Sequence, residues 1–362
     1  MAEKDHVLIL ALNPGSTSTK FGVFEDDRAL FKENLRHDKT ELGDFAGRPL
    51  VDQLELRLGK VRALLRDRAV DAGAFDAVVG RGGLLEPLAS GTYAINEKML
   101  ADLREARRGD HASNLGAPMA RALAAEAPRC RAFIVDPVSV DEWPPVARLS
   151  GLDGLDRECL SHALNTKAVA KRHAREKKAR YRDLRLVVAH LGSGISVSAH
   201  EGGKMVDATN SMEEGAFSTE RSGTLPVMKL VELCFSGMHG EKEIAAMIFR
   251  KGGLASYLGT KDVRKVLDRI ASGDARAGLV FDAMIYQIAK EIGAAATVLE
   301  GRVDAVLLTG GMAHASEVVE ALSRRVKWIA PLAVYPGEDE LQALAEGALR
   351  VMRGEEEAIE YA

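Results

Sequence analysis

The chain has few cysteines, and they are not arranged in pairs. Its 362 residues contain three cysteines, Cys130, Cys159 and Cys234, which lie far apart in the sequence. An odd number of isolated cysteines without a CxxC pair excludes a disulfide scaffold and a zinc ribbon, and it is typical of a reducing compartment. We therefore expect a cytoplasmic protein.

The sequence also lacks long apolar runs and a strong excess of one charge. No run is long enough to span a bilayer, and an apolar stretch typical of a strand begins at Val7, so we expect neither a membrane span nor a signal peptide. The formal net charge is −4, which argues against a nucleic-acid partner. The length of 362 residues predicts two or three domains, and a hydrophobic fraction of 46% is typical of a globular protein with full cores.

A strand–turn–strand pattern occurs twice, in VLILALNPGSTSTKFGVF (7–24) and in LRLVVAHLGSGISVSAH (184–200). A third strand follows each copy, and buried strands then alternate with helices, two of which we expect Asn96 and Ser161 to cap. The repeated order predicts a duplicated α/β fold. The first turn can present N–H groups and hydroxyls to a phosphate, but it lacks the GK[ST] ending of a P-loop. Taken alone, it is also typical of a plain structural hairpin.

Charged groups and glycines follow the ends of the predicted strands. They are Arg81, His111, Asp136, His162, His190, Arg221, the pair Gly310 and Gly311, and the acidic run Glu338–Glu340. Each has an ordinary structural explanation by itself, but together they are typical of a phosphoryl-transfer site. A hydrolase pattern fits less well, because Ser193 lacks the strand–turn–helix context of a nucleophile elbow and the histidines lack HExxH spacing.

In these segments the chain resembles the acetate and butyrate kinase family, from residue 8 to about residue 350. The most specific segments are NPGSTSTK (13–20), AHLGSGIS (189–196) and ERSGTLP (220–226). The resemblance implies a duplicated two-domain actin-like ATPase fold, related to ribonuclease H, with mixed sheets flanked by helices and a central cleft. We expect an N-terminal acyl-side domain at 1–150, closed by the C-terminal helix in 341–362, and a nucleotide-binding domain at 151–340.

The resemblance also implies roles for individual residues. The implied catalytic residues are Arg81, Asp136, His162, His190 and Arg221. The residues implied to bind phosphates and nucleotide are Asn13, Ser16, Ser18, Lys20, Gly192, Ser193, Gly194, Asp262, Arg264, Gly310 and Gly311. The residues implied to support a metal are Asp136, Glu338, Asp339 and Glu340.

The implied reaction is transfer of a phosphoryl group from ATP, with Mg²⁺, to a short-chain fatty acid in a homodimer or larger homo-oligomer. Pro14 stands where acetate kinases usually carry Cys, Ser161 stands where they carry Phe, and RGGLL (81–85) replaces a longer segment. These departures fit the butyrate branch of the family, so we expect butyryl phosphate and ADP as products. The alternatives are kinases for propionate, isobutyrate, valerate or acetate, a phosphohydrolase, and a non-catalytic ATP-binding regulator.

Overall fold

The computed structural model describes residues 6–362, which form two compact units. Unit 1 runs to Asp141 and includes Asp339–Ala362, and unit 2 is Glu142–Glu338. The first five residues, on which the signal-peptide expectation depends, lie outside the described residues. Between residues 6 and 362, no helix combines the length and the apolar character needed to cross a membrane.

The secondary structure alternates strands and helices along most of the chain. The strands are β1 Leu8–Pro14, β2 Ser18–Glu25, β3 Arg28–Arg36, β4 Ala77–Arg81, β5 Thr92–Ala94, β6 Arg131–Val135, β7 Leu186–Leu191, β8 Ile195–Glu201, β9 Lys204–Ala208, β10 Ala305–Gly310, β11 Leu332–Pro336 and β12 Ile359–Glu360. The helices are α1 Lys39–Gly43, α2 Leu54–Asp67, α3 Glu97–Glu105, α4 Gly116–Ala124, α5 Pro145–Arg148, α6 Ala163–Glu176, α7 Val227–Cys234, α8 Glu241–Phe249, α9 Gly253–Leu258, α10 Val263–Ala271, α11 Ala275–Val298, α12 Ser316–Val326 and α13 Glu340–Met352.

Each unit contains one mixed sheet. The order in unit 1 is β12-β5-β6-β4-β1-β2-β3, and the order in unit 2 is β11-β10-β7-β8-β9. Strands β1, β2 and β3 are antiparallel neighbours, whereas β4 and β6 continue the sheet in parallel from β1. Strands β7, β8 and β9, followed by β10 and β11, repeat this arrangement in unit 2. The repeated topology confirms the predicted duplicated α/β fold.

Helices cover both faces of the sheet in unit 1. Ile134 of β6 packs in one core with Leu58 of α2 and with apolar residues of α3 and α4. The next residue, Val135, packs against Gly347 of α13. Because neighbouring residues in a strand point to opposite faces, α13 covers the face opposite α2–α4. Arg81 aligns with Val135 across β4 and β6, so its side chain lies on the α13 face.

The sheet of unit 2 is covered in the same way. Val188 packs with Val169 of α6, whereas Ala189 packs with Met284 of α11. His190, the next residue of β7, therefore lies on the α6 face of the sheet. The sequence places polar residues at the same position in both units, since Asn13 and His190 occupy the ends of β1 and β7 on the face opposite the larger helical core.

Two details differ from the sequence-based expectations. Strands β5 and β12 were not expected, because segments of three and two residues are too short to show a period of two. Asn96 caps α3 as predicted, since its side chain accepts a hydrogen bond from the Met99 N–H. The predicted cap at Ser161 is wrong: His162 holds the N-cap position of α6, and the Ser161 hydroxyl is buried and bonded to Met205 Sδ.

We expect Gly80→Ala to destabilise unit 1, because an added Cβ would lie 2.1 Å from the Gly116 carbonyl oxygen where β4 meets α4. Overpacking against rigid backbone should lower the free energy of unfolding by about 3 kcal/mol. The matched control is Gly59→Ala on α2, where an added Cβ meets no atom within 4 Å. The control should be neutral or should stabilise the helix by up to about 1 kcal/mol. Equal urea midpoints for the two variants would contradict this packing argument.

Candidate active site

The turn between β1 and β2, Asn13–Lys20, places several predicted residues together. Asn13 pairs directly with Lys20 across the two strands, so their side chains lie on the same face of the sheet. Ser18 lies two residues before Lys20 and shares that face. Ser16 is exposed at the tip of the turn, and the Lys20 side chain is also exposed. Polar side chains thus continue from the end of β1 to the start of β2; Asn13 is buried, whereas Ser16 and Lys20 are exposed.

Arg81 forms a cluster with Asn13 and Glu340 in unit 1. Arg81 Nη1 lies 3.2 Å from the Glu340 carboxylate and donates to Asn13 Oδ1 at 3.4 Å. The Asn13 amide nitrogen also donates to Glu340. The Arg81 and Glu340 side chains are only 23% and 13% exposed. Partial shielding from water makes this ion pair stronger than a typical surface pair. We call these three residues the Arg81 cluster.

A buried arginine, Arg57 of α2, supports the turn from behind. Its Nη1 donates to the carbonyl oxygens of Gly15 at 2.8 Å and Ser18 at 3.2 Å, and its Nη2 donates to that of Ser16 at 3.3 Å. Gln53 Oε1 accepts a further bond from Nη2 at 2.8 Å. Burial lowers the pKa of Arg57 to about 10, so the guanidinium is still charged at neutral pH.

Arg57 is not among the site residues predicted from the sequence, although the sequence contains a signal for it. Arg57, Val61 and Leu65 are spaced by four residues and lie on the buried face of α2. A cation within an apolar helical stripe is unusual, because burial of a charge is costly unless it is well hydrogen-bonded. That exception to the amphipathic pattern marks Arg57 as a residue with a specific partner.

His37 completes the polar contacts behind the turn. Thr19 Oγ1 lies 2.9 Å from His37 Nε2 and accepts a bond from Arg57 Nη1 at 3.1 Å. The His37 backbone N–H donates to the Thr17 carbonyl oxygen at 3.0 Å. Burial, followed by the charge of Arg57, lowers the pKa of His37 to about 4. Its imidazole is therefore neutral at physiological pH.

Asp136 lies directly after β6 and is buried. Its Oδ1 accepts bonds from the Ser90 hydroxyl at 2.6 Å and from the Gly91 N–H at 2.8 Å. Its φ of +36° is unusual for a residue other than glycine. Strained backbone of this kind concentrates at functional sites. The predicted catalytic role of Asp136 rests on this position at the carboxyl end of the strand.

The acidic run Glu338–Glu340 does not form one cluster. Asp339 accepts two bonds from Lys32 Nζ, at 2.8 and 2.7 Å, and caps α13. Glu340 belongs to the Arg81 cluster, whereas Glu338 Oε1 lies 3.1 Å from His190 Nε2. Residues 6–362 contain no group of three or more His, Cys, Asp or Glu side chains that could hold a metal ion. The metal assignments therefore stay predictions.

In unit 2, His162 and His190 form a stacked pair. Their ring centroids are 3.8 Å apart and their planes differ by 7°. His162 Nδ1 lies 2.9 Å from Ser196 Oγ, and His190 Nδ1 lies 2.9 Å from Asn165 Oδ1. His190 Nε2 is buried; the nearby Glu338 is not aligned for a hydrogen bond, so this nitrogen has no hydrogen-bond partner among residues 6–362. The hydrogen bonds to Ser196 and Asn165 hold the two rings in fixed orientations.

The GSG turn between β7 and β8 leaves no room for side chains at its two glycines. A Cβ at Gly192 would lie 3.0 Å from His190 Nε2, and a Cβ at Gly194 would lie 2.5 Å from Arg221 Nη1. Glycine at these positions therefore allows an imidazole and a guanidinium to lie directly against the backbone of the turn. A Gly-rich turn beside an arginine and a histidine is suited to an anion.

Arg221 is held by the loop that follows β9. Its Nη1 donates to the Ser211 carbonyl oxygen at 3.0 Å and to the Ser211 hydroxyl at 2.7 Å. Its backbone N–H donates to Ser218 Oγ at 3.1 Å, and that hydroxyl donates to the Ser193 carbonyl oxygen. Burial lowers the pKa of Arg221 from its ordinary value. The loop thus connects Arg221 to the GSG turn through Ser218.

Gly310 ends β10 beside the end of β7. Its φ is +89°, and a Cβ there would lie 2.5 Å from the Leu191 carbonyl oxygen, so only glycine fits. Gly310 and Gly337 exchange backbone hydrogen bonds of 3.1 and 3.0 Å. Gly311 then begins a short 3₁₀ turn at Gly311–His314. This bridge brings Glu338, the residue after Gly337, to His190.

Asp262 and Arg264 bind each other on the surface of unit 2. Asp262 caps α10, and its carboxylate accepts bonds from Arg264 Nε at 3.1 Å and from Nη2 at 3.0 Å. The hydrogen bonds from Arg264 lower the pKa of Asp262. The Arg264 side chain is 87% exposed. The contacts of this pair do not link it to the other candidate residues, so its nucleotide role stays a prediction.

Comparison with known proteins gives one family match and several similar folds. The sequence profile described as the acetokinase family matches residues 157–341, about half of the chain. The matched range includes His162, His190 and Arg221, whereas Arg81 and Asp136 lie before it.

Three solved structures illustrate the similarity of fold. Porphyromonas gingivalis acetate kinase has a TM-score of 0.80 at 20% identity, covering 96% of this chain and 100% of that chain. A propionate kinase from Francisella tularensis subsp. tularensis SCHU S4 has a TM-score of 0.75 at 18% identity, with coverages of 94% and 98%. Acetate kinase from Entamoeba histolytica has a TM-score of 0.76 at 17% identity, with the same coverages of 94% and 98%. The chain has the two-domain actin-like ATPase fold of the acetate kinase type.

We expect acid to weaken unit 1 through His37. The folded-state pKa of about 4 lies below the ordinary 6.5, so the unfolded chain binds the proton more tightly. The free energy of unfolding should therefore fall as the pH drops from 6.5 towards 4, by roughly 3 kcal/mol in total for this residue. Urea melts at pH 7, 5.5 and 4.5 should show a shallower pH dependence in His37→Gln than in the wild type. Parallel curves for the two proteins would contradict this.

Proposed function

The chain belongs to the acetokinase family, whose members are ATP-using carboxylate kinases, and we propose that this protein phosphorylates butyrate. The proposed reaction converts butyrate and ATP into butyryl phosphate and ADP. The observation that carries the phosphoryl-transfer chemistry is the group of His162, His190 and Arg221 around the Gly192–Gly194 turn. Three nitrogen donors next to a Gly-rich turn are suited to the charge that develops on a transferring phosphoryl group.

Arg81 is the proposed anchor for the carboxylate substrate. In the structure its guanidinium already binds a carboxylate, that of Glu340, at 3.2 Å. A guanidinium matches the planar geometry of a carboxylate, and it remains charged at any pH at which the enzyme works. Asn13 lies in the same cluster and can position the neighbouring hydrogen bonds. Ser16, Ser18 and Lys20 would then face the γ-phosphate from the hairpin turn.

The proposed chemical step is direct and in line. A carboxylic acid with a pKa near that of Glu, about 4.3, is ionised at neutral pH, so no general base is required. One carboxylate oxygen bonds to the γ-phosphorus as the bond from that phosphorus to the β-bridging oxygen breaks, and ADP leaves with the electron pair. Arg81 orients the attacking oxygen, while Arg221, His162 and His190 donate to the phosphoryl oxygens. Asp136 belongs to the same proposed catalytic set.

The carboxylates present fit a magnesium ion, although unequally. Mg²⁺ is usually bound by one or two carboxylates together with water and phosphate oxygens. Asp339 and Glu340 are each bonded to a cationic side chain, whereas Glu338 lies beside His190 at the phosphate-facing turn of unit 2. We propose Glu338, with Asp136, as the residues that would hold Mg²⁺. When bound, the ion would neutralise phosphate charge.

The remaining assignments concern the nucleotide and the assembly. Asp262 and Arg264 would line the adenine site, and Gly310 and Gly311 would allow the nucleotide to approach the backbone. We also propose a homodimer. The basis for this state is the resemblance of the chain to the acetate and butyrate kinase family.

The proposed acyl preference rests on three departures from the acetate kinase pattern, at Pro14, at Ser161 and in the short segment Arg81–Leu85. Each buried CH₂ group contributes about 0.8 kcal/mol. That energy is a factor of about 4 in kcat/KM for one methylene, and a hydrophobic pocket discriminates between neighbouring acids by a factor of about 10–200 at most. Propionate, isobutyrate, valerate and acetate are the competing substrates.

We expect acids of two to six carbons, assayed with ATP, Mg²⁺ and hydroxylamine, to yield acyl hydroxamates with a maximum kcat/KM at butyrate. Acetate should be at least about tenfold poorer, because its shorter chain leaves the acyl site partly empty. A maximum at acetate or propionate would overturn the butyrate assignment and would leave the carboxylate kinase intact. Loss of ATP without hydroxamate would instead indicate a phosphohydrolase, and binding of ATP without any turnover would indicate a regulator.

Arg221→Ala should reduce kcat with butyrate by roughly 10³–10⁵-fold, as for other cations that stabilise a transferring phosphoryl group. Arg302→Ala is the matched control, because Arg302 is an exposed arginine of unit 2 that precedes β10 and pairs with Glu300. It should keep the wild-type kcat. Thermal unfolding of both variants should separate lost chemistry from lost folding. A folded Arg221→Ala enzyme with nearly wild-type kcat would remove Arg221 from the proposed mechanism.

A further inference from the structure

Among the described residues, Arg57 has the largest fully buried side chain, at 0% exposure. Its guanidinium forms no ion pair, because no carboxylate lies within ion-pair distance of it in the described part of the chain. Its bonds go to three carbonyl oxygens of the hairpin turn, to Thr19 Oγ1 and to Gln53 Oε1. Burying a charge without an ion-pair partner costs free energy. The function that would offset this cost is therefore to be sought in the hydrogen bonds of Arg57.

The contacts account for every carbonyl oxygen of the turn Gly15–Ser18. Arg57 takes those of Gly15, Ser16 and Ser18, and the His37 N–H takes that of Thr17. All four oxygens therefore face the interior of unit 1. A carbonyl oxygen carries partial negative charge, so one that faced an anion would repel it.

Unlike the carbonyl oxygens, two of the backbone N–H groups of this turn form no hydrogen bond to residues 6–362. The Gly15 N–H closes the turn on the Ser18 carbonyl oxygen at 2.8 Å. The N–H groups of Ser16 and Thr17 have no hydrogen-bond partner among residues 6–362. Ser16 and Thr17 are also exposed. The turn thus has its acceptors satisfied from inside and two donors available at the surface.

We propose that Arg57 is a positioning residue for the phosphate-binding turn. Its planar guanidinium fork holds the turn carbonyls inward, so that the Ser16 and Thr17 N–H groups and the nearby hydroxyls are presented to the terminal phosphate of the nucleotide. Its unpaired positive charge also lies behind the turn and attracts the same phosphate. The inference rests on the proposed function, since it assumes that this turn binds the γ-phosphate.

The test compares the binding of the non-hydrolysable ATP analogue AMPPNP with that of ADP by calorimetry, in wild type and in Arg57→Lys. Lysine keeps the charge but loses the fork that reaches several oxygens together. We expect the Kd of AMPPNP to rise about tenfold and the Kd of ADP to change less than twofold. The matched control, Arg66→Lys, changes an exposed arginine on the same helix and should alter neither value. A purely structural role would change both ligands equally.

Circular dichroism melts identify variants that fail to fold. If Arg57→Lys does not fold, Gln53→Met serves as the test variant. It removes the hydrogen bond from the Arg57 guanidinium to Gln53 Oε1 and leaves the turn residues unchanged. It should raise the Kd of AMPPNP about threefold and leave the Kd of ADP unchanged. Equal effects on both ligands, or none, in a folded variant would overturn the inference.

The hydroxamate assay of the wild type separates this inference from the proposed function. If Arg57→Lys raises the Kd of AMPPNP as expected but the wild type forms no butyryl hydroxamate, the butyrate kinase assignment is overturned and the role of Arg57 stands. Normal hydroxamate formation without any AMPPNP difference would overturn the role of Arg57 alone. Wild-type protein that binds neither nucleotide would overturn both.

Discussion

A backbone turn can bind an anion only when its carbonyl oxygens point elsewhere, because each peptide unit carries partial charges of both signs. In unit 1 this constraint is met by one buried guanidinium, which bonds to three of the four carbonyls, while the backbone N–H of His37 takes the last. The charge of Arg57 also adds to the effect of burial in lowering the pKa of His37. Without such hydrogen bonds, the peptide groups of the turn could direct either their carbonyl oxygens or their N–H groups towards an anion.

Unit 2 contains a turn of the same origin with different support. There the glycines leave room for His190 and Arg221 beside the backbone, and Ser218 binds the Ser193 carbonyl oxygen. His190 and Arg221 thus lie beside the turn in unit 2, whereas Arg57 lies behind the turn in unit 1. Under the proposed function, the first turn would present backbone donors and hydroxyls to the phosphate, and the second would present side-chain donors.

Much of this could be predicted from the sequence. The repeated strand–turn–strand pattern predicts the duplicated order of elements, with one hairpin turn in each half, and both hairpins are present. The short strand β5 and the true first turn of α6 could not be predicted, because they depend on contacts with distant segments. The partition of Glu338, Asp339 and Glu340 among three partners also depends on tertiary contacts. For Arg57, the sequence indicates a place on the apolar face of a helix, but it does not indicate the hydrogen bonds to the hairpin turn.

The Arg81–Glu340 ion pair has a consequence for how the enzyme meets its substrate. Under the proposed function, the arginine already holds a carboxylate of its own chain, partly shielded from water. An incoming fatty acid therefore enters by exchange: one carboxylate replaces or shares the position of another, and the number of ion pairs hardly changes. Such an exchange yields little net electrostatic energy, so the acyl chain and the approach of ATP must supply the selectivity. Under this proposal, the free enzyme gives up the Arg81–Glu340 ion pair, in whole or in part, before Arg81 can bind a substrate carboxylate.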